Sequence, residues 1–205
     1  PHMPFHQVPP GYLSHYEGKT PEDLLNRPNL RLEGKGKAAP DSVKNYFAMI
    51  TGIDEQIGRL LECLREEGLE RDTIVVFTSD HGEMMGSHGA MGKTLHYDES
   101  LLIPFLIRWP GRIPARRDDL LLSVPDVMPS LLGLMGLESA IPAGRQGTDL
   151  SAAFLGRPCA RPTSALYLDT WLSGEGGARG LRTHRHTLAV IRDADGQAQA
   201  ILHDN

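Results

Sequence analysis

The chain contains 205 residues and carries a formal net charge of −5, from 21 Lys and Arg residues against 26 Asp and Glu residues. Its basic residues are scattered among acidic ones, so it lacks the basic stripe that nucleic-acid-binding proteins present. Its apolar runs are shorter than the roughly 18 residues that cross a bilayer. We therefore expect neither a nucleic-acid partner nor an integral membrane segment.

The N-terminal third is predicted to be loop followed by one long helix. Residues 1 to about 40 are rich in Pro and Gly, which favours surface loop. From Asp41 onward, apolar residues recur at three- and four-residue steps as far as Gly68, which is the spacing of an amphipathic helix. We expect Asp41 or Ser42 to cap the first turn of this helix.

A strand buried on both faces is predicted at Thr73–Thr78, where β-branched and aromatic residues form a short apolar run. It is followed by Asp80, His81 and Gly82, and α/β proteins gather ligand groups beyond the carboxyl ends of their strands. Neighbouring residues on a strand point to opposite faces, so Asp80 and His81 share an ion only if the chain bends, which Gly82 permits. For the pair alone, helix capping by Asp80 and a solvent-exposed His81 is the commoner arrangement.

The middle of the chain is predicted to add one strand and one helix. Residues 101–109 form the second apolar run, and a helical pattern extends from Ser123 to Gly136. Pro129 is tolerated in this helix if Asp126 caps it, because the first helical turn does not need that N–H. Helix and strand in this order are typical of an α/β protein with a mostly parallel sheet flanked by helices.

The last third is predicted to be a small antiparallel β subdomain. Its apolar segments are short and are separated by glycine-containing breaks at 174–177 and 195–196. The segments are 165–168, 181–191 and 198–202. The predicted domains are therefore 1–143, an α/β domain, and 144–205, the antiparallel subdomain.

The residues around Asp80 form an ordered series of motifs. Thr78-Ser79-Asp80-His81-Gly82-Glu83 is followed by His88-Gly89, Lys93, Tyr97-Asp98-Glu99-Ser100 and Trp109-Pro110-Gly111. This series resembles the sulfatase family of the alkaline phosphatase superfamily. Other segments agree with the resemblance, which covers nearly the whole chain: Pro1-His2-Met3-Pro4, Tyr46 to Asp54, Asp126 to Leu132, and Leu181-Arg182-Thr183.

The resemblance implies a metal-dependent ester hydrolase and gives roles to four residues. Asp80 and His81 correspond to ligands of one divalent ion, with Ca²⁺ the first choice and Mg²⁺, Mn²⁺ or Zn²⁺ compatible with such ligands. Lys93 corresponds to the lysine that contacts the oxygens of the transferred group, and His2 to the histidine near the leaving-group oxygen. Without the motif context, a lone lysine is usually solvated and a terminal histidine usually frayed. His88 either orients a ligand or packs within the loop.

One expected part of a sulfatase is missing from these residues. The family makes its nucleophile, formylglycine, from the Cys or Ser of a [CS]-x-P-x-R motif, and takes further metal ligands from an Asp-rich strand near its N-terminus. Cys63 and Cys159 are followed by Leu64-Arg65-Glu66 and Ala160-Arg161-Pro162, which do not match. We expect this chain to be a C-terminal portion of a sulfatase, with residues 1–143 the end of the catalytic domain and the β subdomain incomplete. Alone, it is expected to be inactive.

The functional prediction is hydrolysis of a sulfate ester in a sulfated small molecule or carbohydrate. Two alternatives remain open: a phosphomonoester, phosphodiester or phosphonate ester hydrolase of the same superfamily, and a non-catalytic sulfatase-like domain. The resemblance favours a periplasmic or secreted location. The residues themselves indicate neither the compartment nor the oligomeric state.

Overall fold

A computed structural model describes residues 1–170, 177–193 and 195–205. The chain divides into two units, Pro1–Leu106 and Ile107–Asn205. The predicted domain boundary after residue 143 stays a prediction, and the predicted break at 174–176 lies outside the described residues. Within the described residues, no helix is both long enough and apolar enough to cross a membrane.

The first unit begins with short helical turns and one long helix. Thr20 caps the second turn, and the Asp23 carboxylate accepts the Thr20 N–H in return, which satisfies two backbone donors at once. The predicted loop character of residues 1–40 is thus interrupted by single helical turns. The helices are α1 (Pro10–Leu13), α2 (Pro21–Leu24) and α3 (Ala39–Glu66), with 3₁₀ turns at Ser14–Tyr16 and Gly34–Ala38.

The helix α3 starts earlier than predicted and ends as predicted. Its N-cap is Ala38, without a side-chain cap, so the expected capping by Asp41 or Ser42 is wrong. Pro40 lies in the first turn, where its missing N–H costs nothing. At the other end, Gly68 has a φ of 67° and the Leu69 N–H bonds the Leu64 carbonyl, which together close the helix.

The core of the first unit forms where α3 meets the N-terminal segment and the loop after the first strand. Phe5, Ala39, Val43 and Met85 are buried together. Phe5 packs edge-on against Tyr46, with ring centroids 5.6 Å apart. This contact holds the segment that carries His2 against the helix.

Two short strands, β1 (Val75–Thr78) and β2 (Phe105–Arg108), pair in a two-stranded sheet, and α4 (Asp98–Leu101) lies between them in sequence. Both strands are shorter than predicted. Thr73 follows the turn at 70–72 and lies outside the strand, and its Oγ1 donates to the Leu69 carbonyl at 2.9 Å. Residues 101–104 close α4 and pass through Pro104, which has no N–H for a ladder. Within the described residues β1 is only partly buried, contrary to the prediction.

The second unit contains two helices followed by a four-stranded antiparallel sheet. The strand order β3-β4-β5-β6 follows the sequence, and this confirms the predicted small antiparallel sheet. Its register pairs Leu181 with Leu188 and Leu188 with Leu202. The elements are α5 (Val124–Leu134), α6 (Ser151–Phe154), β3 (Ala165–Thr170), β4 (Gly177–Arg182), β5 (His186–Arg192) and β6 (Ala198–Asp204), with a 3₁₀ turn at Glu138–Ala140.

The helix α5 is capped by a different residue from the one predicted, which was Asp126. Ser123 is the N-cap, and Asp126 completes the capping box by accepting the Ser123 N–H at 2.8 Å. The buried Asp126 carboxylate also accepts the Thr148 N–H at 2.7 Å. Pro129 is therefore the sixth residue of the helix and lies in its interior, so the first-turn explanation for it is wrong.

Candidate functional site

The candidate site lies at the end of β1, where the chain leaves strand geometry at Ser79 and Asp80. The Ser79 hydroxyl donates to the His81 carbonyl at 2.7 Å, and the Gly82 N–H donates to the Ser100 carbonyl at 2.9 Å. A Cβ on Gly82 would lie 2.0 Å from the Glu99 carbonyl oxygen. Glycine is thus required here because another stretch of backbone approaches so closely, whereas the sequence suggested a bend.

His81 lies between a backbone carbonyl and Lys93. Its Nδ1 is 2.8 Å from the Gly82 carbonyl oxygen, and its Nε2 is 2.7 Å from Lys93 Nζ. An ammonium group has only donors, so Nε2 accepts, and Nδ1 carries the proton that is donated to Gly82. The carbonyl therefore fixes the ring so that the Nε2 lone pair points into the site.

His2 reaches the same place from the start of the chain. Its Nε2 lies 3.4 Å from Lys93 Nζ, and its ring centroid is 6.4 Å from that of His81. Its Nδ1 is 2.7 Å from the Met3 carbonyl oxygen, which again leaves Nε2 as the acceptor. The structure thus brings His2, His81 and Lys93 together across 91 residues of sequence.

Asp80 completes the cluster from its solvent-facing side. Its Oδ2 lies 3.4 Å from His81 Nε2, and its Oδ1 accepts the His81 N–H at 3.0 Å. Desolvation acts to raise the pKa of Asp80, but the adjacent His81 ring, the backbone hydrogen bonds and Lys93 outweigh it and hold the pKa below its usual value. The carboxylate is therefore ionised and available as an oxygen ligand.

Asp80 and His81 fit one divalent ion as two of its ligands. A carboxylate oxygen and an imidazole nitrogen 3.4 Å apart can contact the same ion, and the Gly82 carbonyl orients the ring from its other nitrogen. The described part of the chain contains no group of three or more His, Cys, Asp or Glu side chains that would hold a metal. The identity of the ion, including the preference for Ca²⁺, stays a prediction.

A polar network that the sequence did not reveal holds the loop between Glu83 and Lys93. Arg27 donates to Ser87 Oγ at 3.2 Å and to the Met84 carbonyl at 3.3 Å. The Asn29 amide donates to Glu99 Oε1 at 2.6 Å. These contacts span 57 to 70 residues, and neither Arg27 nor Asn29 belongs to a motif that would have indicated the role.

His88 is part of this network. Its ring stacks on Tyr97, with centroids 3.8 Å apart and planes 9° apart, and its Nε2 is 2.9 Å from the Asn29 amide nitrogen. These contacts favour the loop-packing alternative for His88. Tyr97 and Glu99, from the Tyr-Asp-Glu-Ser motif, thus contact the loop that leads to Lys93.

Comparison with known proteins decides the family. The sulfatase family profile matches residues 1–137. The chain belongs to the sulfatase family. The roles of His2, Asp80, His81 and Lys93 within this sulfatase chain stay predictions, although the structure brings all four together.

Relatives of this sulfatase chain include enzymes named for different esters. An endo-4-O-sulfatase of Bacteroides thetaiotaomicron is 43% identical over 192 residues, which are 87% of this chain and 37% of that protein. A solved structure concerned with metabolism of multiple glycosaminoglycans by the same organism has a TM-score of 0.88 at 38% identity, covering 100% of this chain and 45% of its own. A phosphonate monoester hydrolase of Silicibacter pomeroyi has a TM-score of 0.71 at 27% identity, over 95% of this chain and 40% of its own. The sulfatase chain thus spans less than half the length of these relatives.

Proposed function

We propose that this chain contributes to a metal-dependent hydrolase of sulfate esters. The observation that carries the proposal is the convergence of His2, Asp80, His81 and Lys93 at the end of β1 in a chain of the sulfatase family. Unrelated surface residues have no reason to meet in this way, whereas a site for an anionic group needs these side-chain types together.

Residues of this chain would stabilise negative charge on the substrate and donate a proton to the leaving group. Lys93 places a positive charge where the oxygens of the transferred group gain negative charge, and such stabilisation is worth several kcal/mol in a dry site. His2 presents Nε2 on the same side; this nitrogen accepts from Lys93, and a His2 ring that gained a second proton there would donate it to the oxygen of the departing alcohol. Asp80 and His81 would hold the divalent ion, which supplies further stabilisation of oxygen charge when bound. The formylglycine nucleophile would come from residues outside this chain.

The proposed substrate is a sulfated carbohydrate or small molecule. The name of one relative, endo-4-O-sulfatase, and the solved structure that concerns glycosaminoglycan metabolism support the carbohydrate. We further propose that β1 and β2 belong to a mostly parallel sheet, since further partner strands are expected from the additional length of the relatives. A periplasmic or secreted location remains part of the proposal on the family resemblance alone.

A phosphonate ester hydrolase is the second candidate. It is favoured by the likeness to the Silicibacter pomeroyi enzyme, and a cation with a lysine serves phosphoryl oxygens as well as sulfuryl oxygens. A non-catalytic sulfatase-like domain is the third candidate, because the 205 residues contain no [CS]-x-P-x-R motif.

Turnover by two forms of the protein separates the candidates. The first form is the 205-residue chain, and the second is the product of the complete reading frame. We expect the complete product to hydrolyse an aryl sulfate and a 4-O-sulfated oligosaccharide in the presence of Ca²⁺ or Mg²⁺, and the chain alone to hydrolyse neither. Faster turnover of an aryl phosphonate would favour the second candidate. Absence of turnover with both esters at every metal tested would favour the third.

A further inference from the structure

The loop that leads to Lys93 has an unusual backbone. Non-glycine residues with φ in the left-handed region occur at Met85 (40°), His88 (53°) and Thr94 (68°), and in the described parts of the chain all such residues lie in this stretch. This conformation is unfavourable for L-residues and persists where surrounding contacts support it. The contacts that hold the loop are therefore part of how Lys93 is placed.

Glu83 contacts Gly92, the residue before Lys93. Its Oε1 accepts the Gly92 N–H at 2.6 Å and the Met85 N–H at 3.2 Å. The Gly92 carbonyl in turn accepts the Met84 N–H at 2.8 Å. Both polar groups of Gly92 are thus bonded to residues 83–84, and Lys93 is the next residue along the chain.

This arrangement connects Lys93 to the predicted metal ligands by a short path. Asp80 and His81 lie at the end of β1, and Glu83 follows them on the far side of Gly82. The Gly82 N–H is itself held by the Ser100 carbonyl. Glu83 therefore holds Gly92 in a fixed position relative to His81. Because Lys93 follows Gly92, the distance from the Lys93 backbone to the His81 ring is fixed as well.

We propose that Glu83 is a positioning residue whose carboxylate oxygen, by accepting two N–H groups, sets the placement of Lys93 beside His81 and the transferred group. The inference rests on the proposed function of Lys93. The length of the Glu83 side chain places Oε1 within hydrogen-bond distance of the Met85 and Gly92 N–H groups. Because a single oxygen accepts both bonds, we expect the position of this oxygen to matter more than the negative charge of the carboxylate.

Two conservative variants separate reach from charge. Glu83→Gln keeps the length of the side chain and an oxygen that accepts the same two N–H groups, but removes the charge. Glu83→Asp keeps the charge but shortens the side chain by one methylene, so its oxygen no longer spans both donors. In the complete gene product we expect Glu83→Gln to retain kcat for an aryl sulfate within about threefold, whereas Glu83→Asp loses about 10- to 100-fold, because small misplacement of a catalytic group is costly.

Two further measurements complete the test: the separate effects on kcat and KM, and amide hydrogen exchange, which does not depend on activity. Lys93 acts on charge that develops in the reaction, so Glu83→Asp should lower kcat more than it changes KM. In the same variants, amide hydrogen exchange at Gly92 should be faster in Glu83→Asp than in wild type and nearly unchanged in Glu83→Gln. Glu62→Ala, an exposed glutamate paired with Arg65 on α3, is the control and should change neither quantity.

The reverse order would overturn the proposal. If Glu83→Gln is the more damaging variant, the charge matters and Glu83 has another role. If neither variant changes kcat or Gly92 exchange, Glu83 does not position Lys93. If the complete product has no sulfatase activity at all, the proposed function fails, and Gly92 exchange still tests whether Glu83 holds the loop.

Discussion

At the scale of single residues, the placement of Lys93 between two imidazoles determines where those rings carry their protons. An ammonium group can only donate, so the facing nitrogens of His2 and His81 must accept. The backbone carbonyls of Met3 and Gly82 then take the opposite N–H groups. Both rings are therefore oriented by main chain, and both present Nε2 to the side of the site where Lys93 lies.

Asp80 is predicted to matter for metal affinity more than for folding. Its side chain is 82% exposed, so it adds little to the buried core. In the complete gene product we expect Asp80→Ala to weaken divalent metal binding by about 10- to 100-fold and to leave the melting temperature nearly unchanged, so that excess metal partly restores kcat. Titration calorimetry with Ca²⁺ and with Mg²⁺ measures the affinity, and Asp54→Ala on the exposed side of α3 is the control. An unchanged metal affinity would remove Asp80 from the site.

Glu99 is predicted to contribute stability that depends on pH. Burial acts to raise the pKa of Glu99, but hydrogen bonds from Asn29, the backbone and Ser87, together with His88, hold the pKa below the ordinary value of 4.5. The folded-state pKa lies below the unfolded one, so the stabilisation is complete above about pH 4.5 and is lost as the pH falls through the lower folded-state pKa.

The Glu99→Gln variant tests this dependence. We expect it to be less stable than wild type at pH 7 and to approach wild-type stability as the pH falls below the lowered pKa of Glu99, as judged by urea unfolding midpoints. Glu55→Gln on the exposed side of α3 should follow wild type at both pH values. A Glu99→Gln penalty that is the same at both pH values would show that the ionised carboxylate adds nothing.

The residues of the site were predictable from sequence to the extent that they belong to motifs. His2, Asp80, His81 and Lys93 each have a place in the sulfatase series, and the structure brings them together. Arg27 and Asn29 do not, because their partners lie more than 50 residues away and are chosen by the folded path of the chain. Contacts between residues so far apart in sequence produce no local sequence pattern from which they could be predicted.

At the scale of elements, packing and chain stereochemistry explain where the predicted boundaries moved. The helix α3 extends back to Ala39 because Ala39 and Val43 are fully buried and Pro40 is harmless in the first turn. The strand β2 begins only at Phe105 because Leu101 completes α4 and Pro104 cannot donate to a ladder. The apolar runs correctly predicted a helix and a strand, whereas burial and prolines determined where α3 and β2 begin.

Alanine substitutions at two glycines, one beside another stretch of backbone and one in open space, should have opposite effects on stability. A Cβ at Gly82 meets the Glu99 carbonyl at 2.0 Å, so Gly82→Ala should cost about 1–3 kcal/mol in the free energy of unfolding and displace the turn that carries His81. Gly58 lies inside α3 with nothing within 4 Å of an added Cβ, so Gly58→Ala should stabilise the protein by about 0.5–1 kcal/mol. Chemical denaturation of both variants measures the difference. Equal effects would mean that Gly82 is not sterically required.

At the scale of the whole molecule, the sequence predicted the family and the antiparallel sheet, while the mostly parallel sheet stays a proposal. The four strands β3 to β6 are neighbours in both sequence and sheet, so local turns and short apolar segments were sufficient to predict them. The strands β1 and β2 are expected to have further partners in the relatives' additional length, which this chain does not contain. A sheet assembled from distant segments cannot be established from one of its parts.

The central claim is that Lys93 stabilises charge on the transferred group within a metal-dependent site, and kcat for an aryl sulfate in the complete gene product tests it most directly. Lys93→Ala should lower kcat by about 10²–10³, as for other groups that stabilise transition-state charge, with nearly unchanged metal affinity and melting temperature. Lys35→Ala, in the 3₁₀ turn before α3, is the matched control and should keep wild-type kcat. A wild-type kcat for Lys93→Ala at every metal concentration would contradict the account.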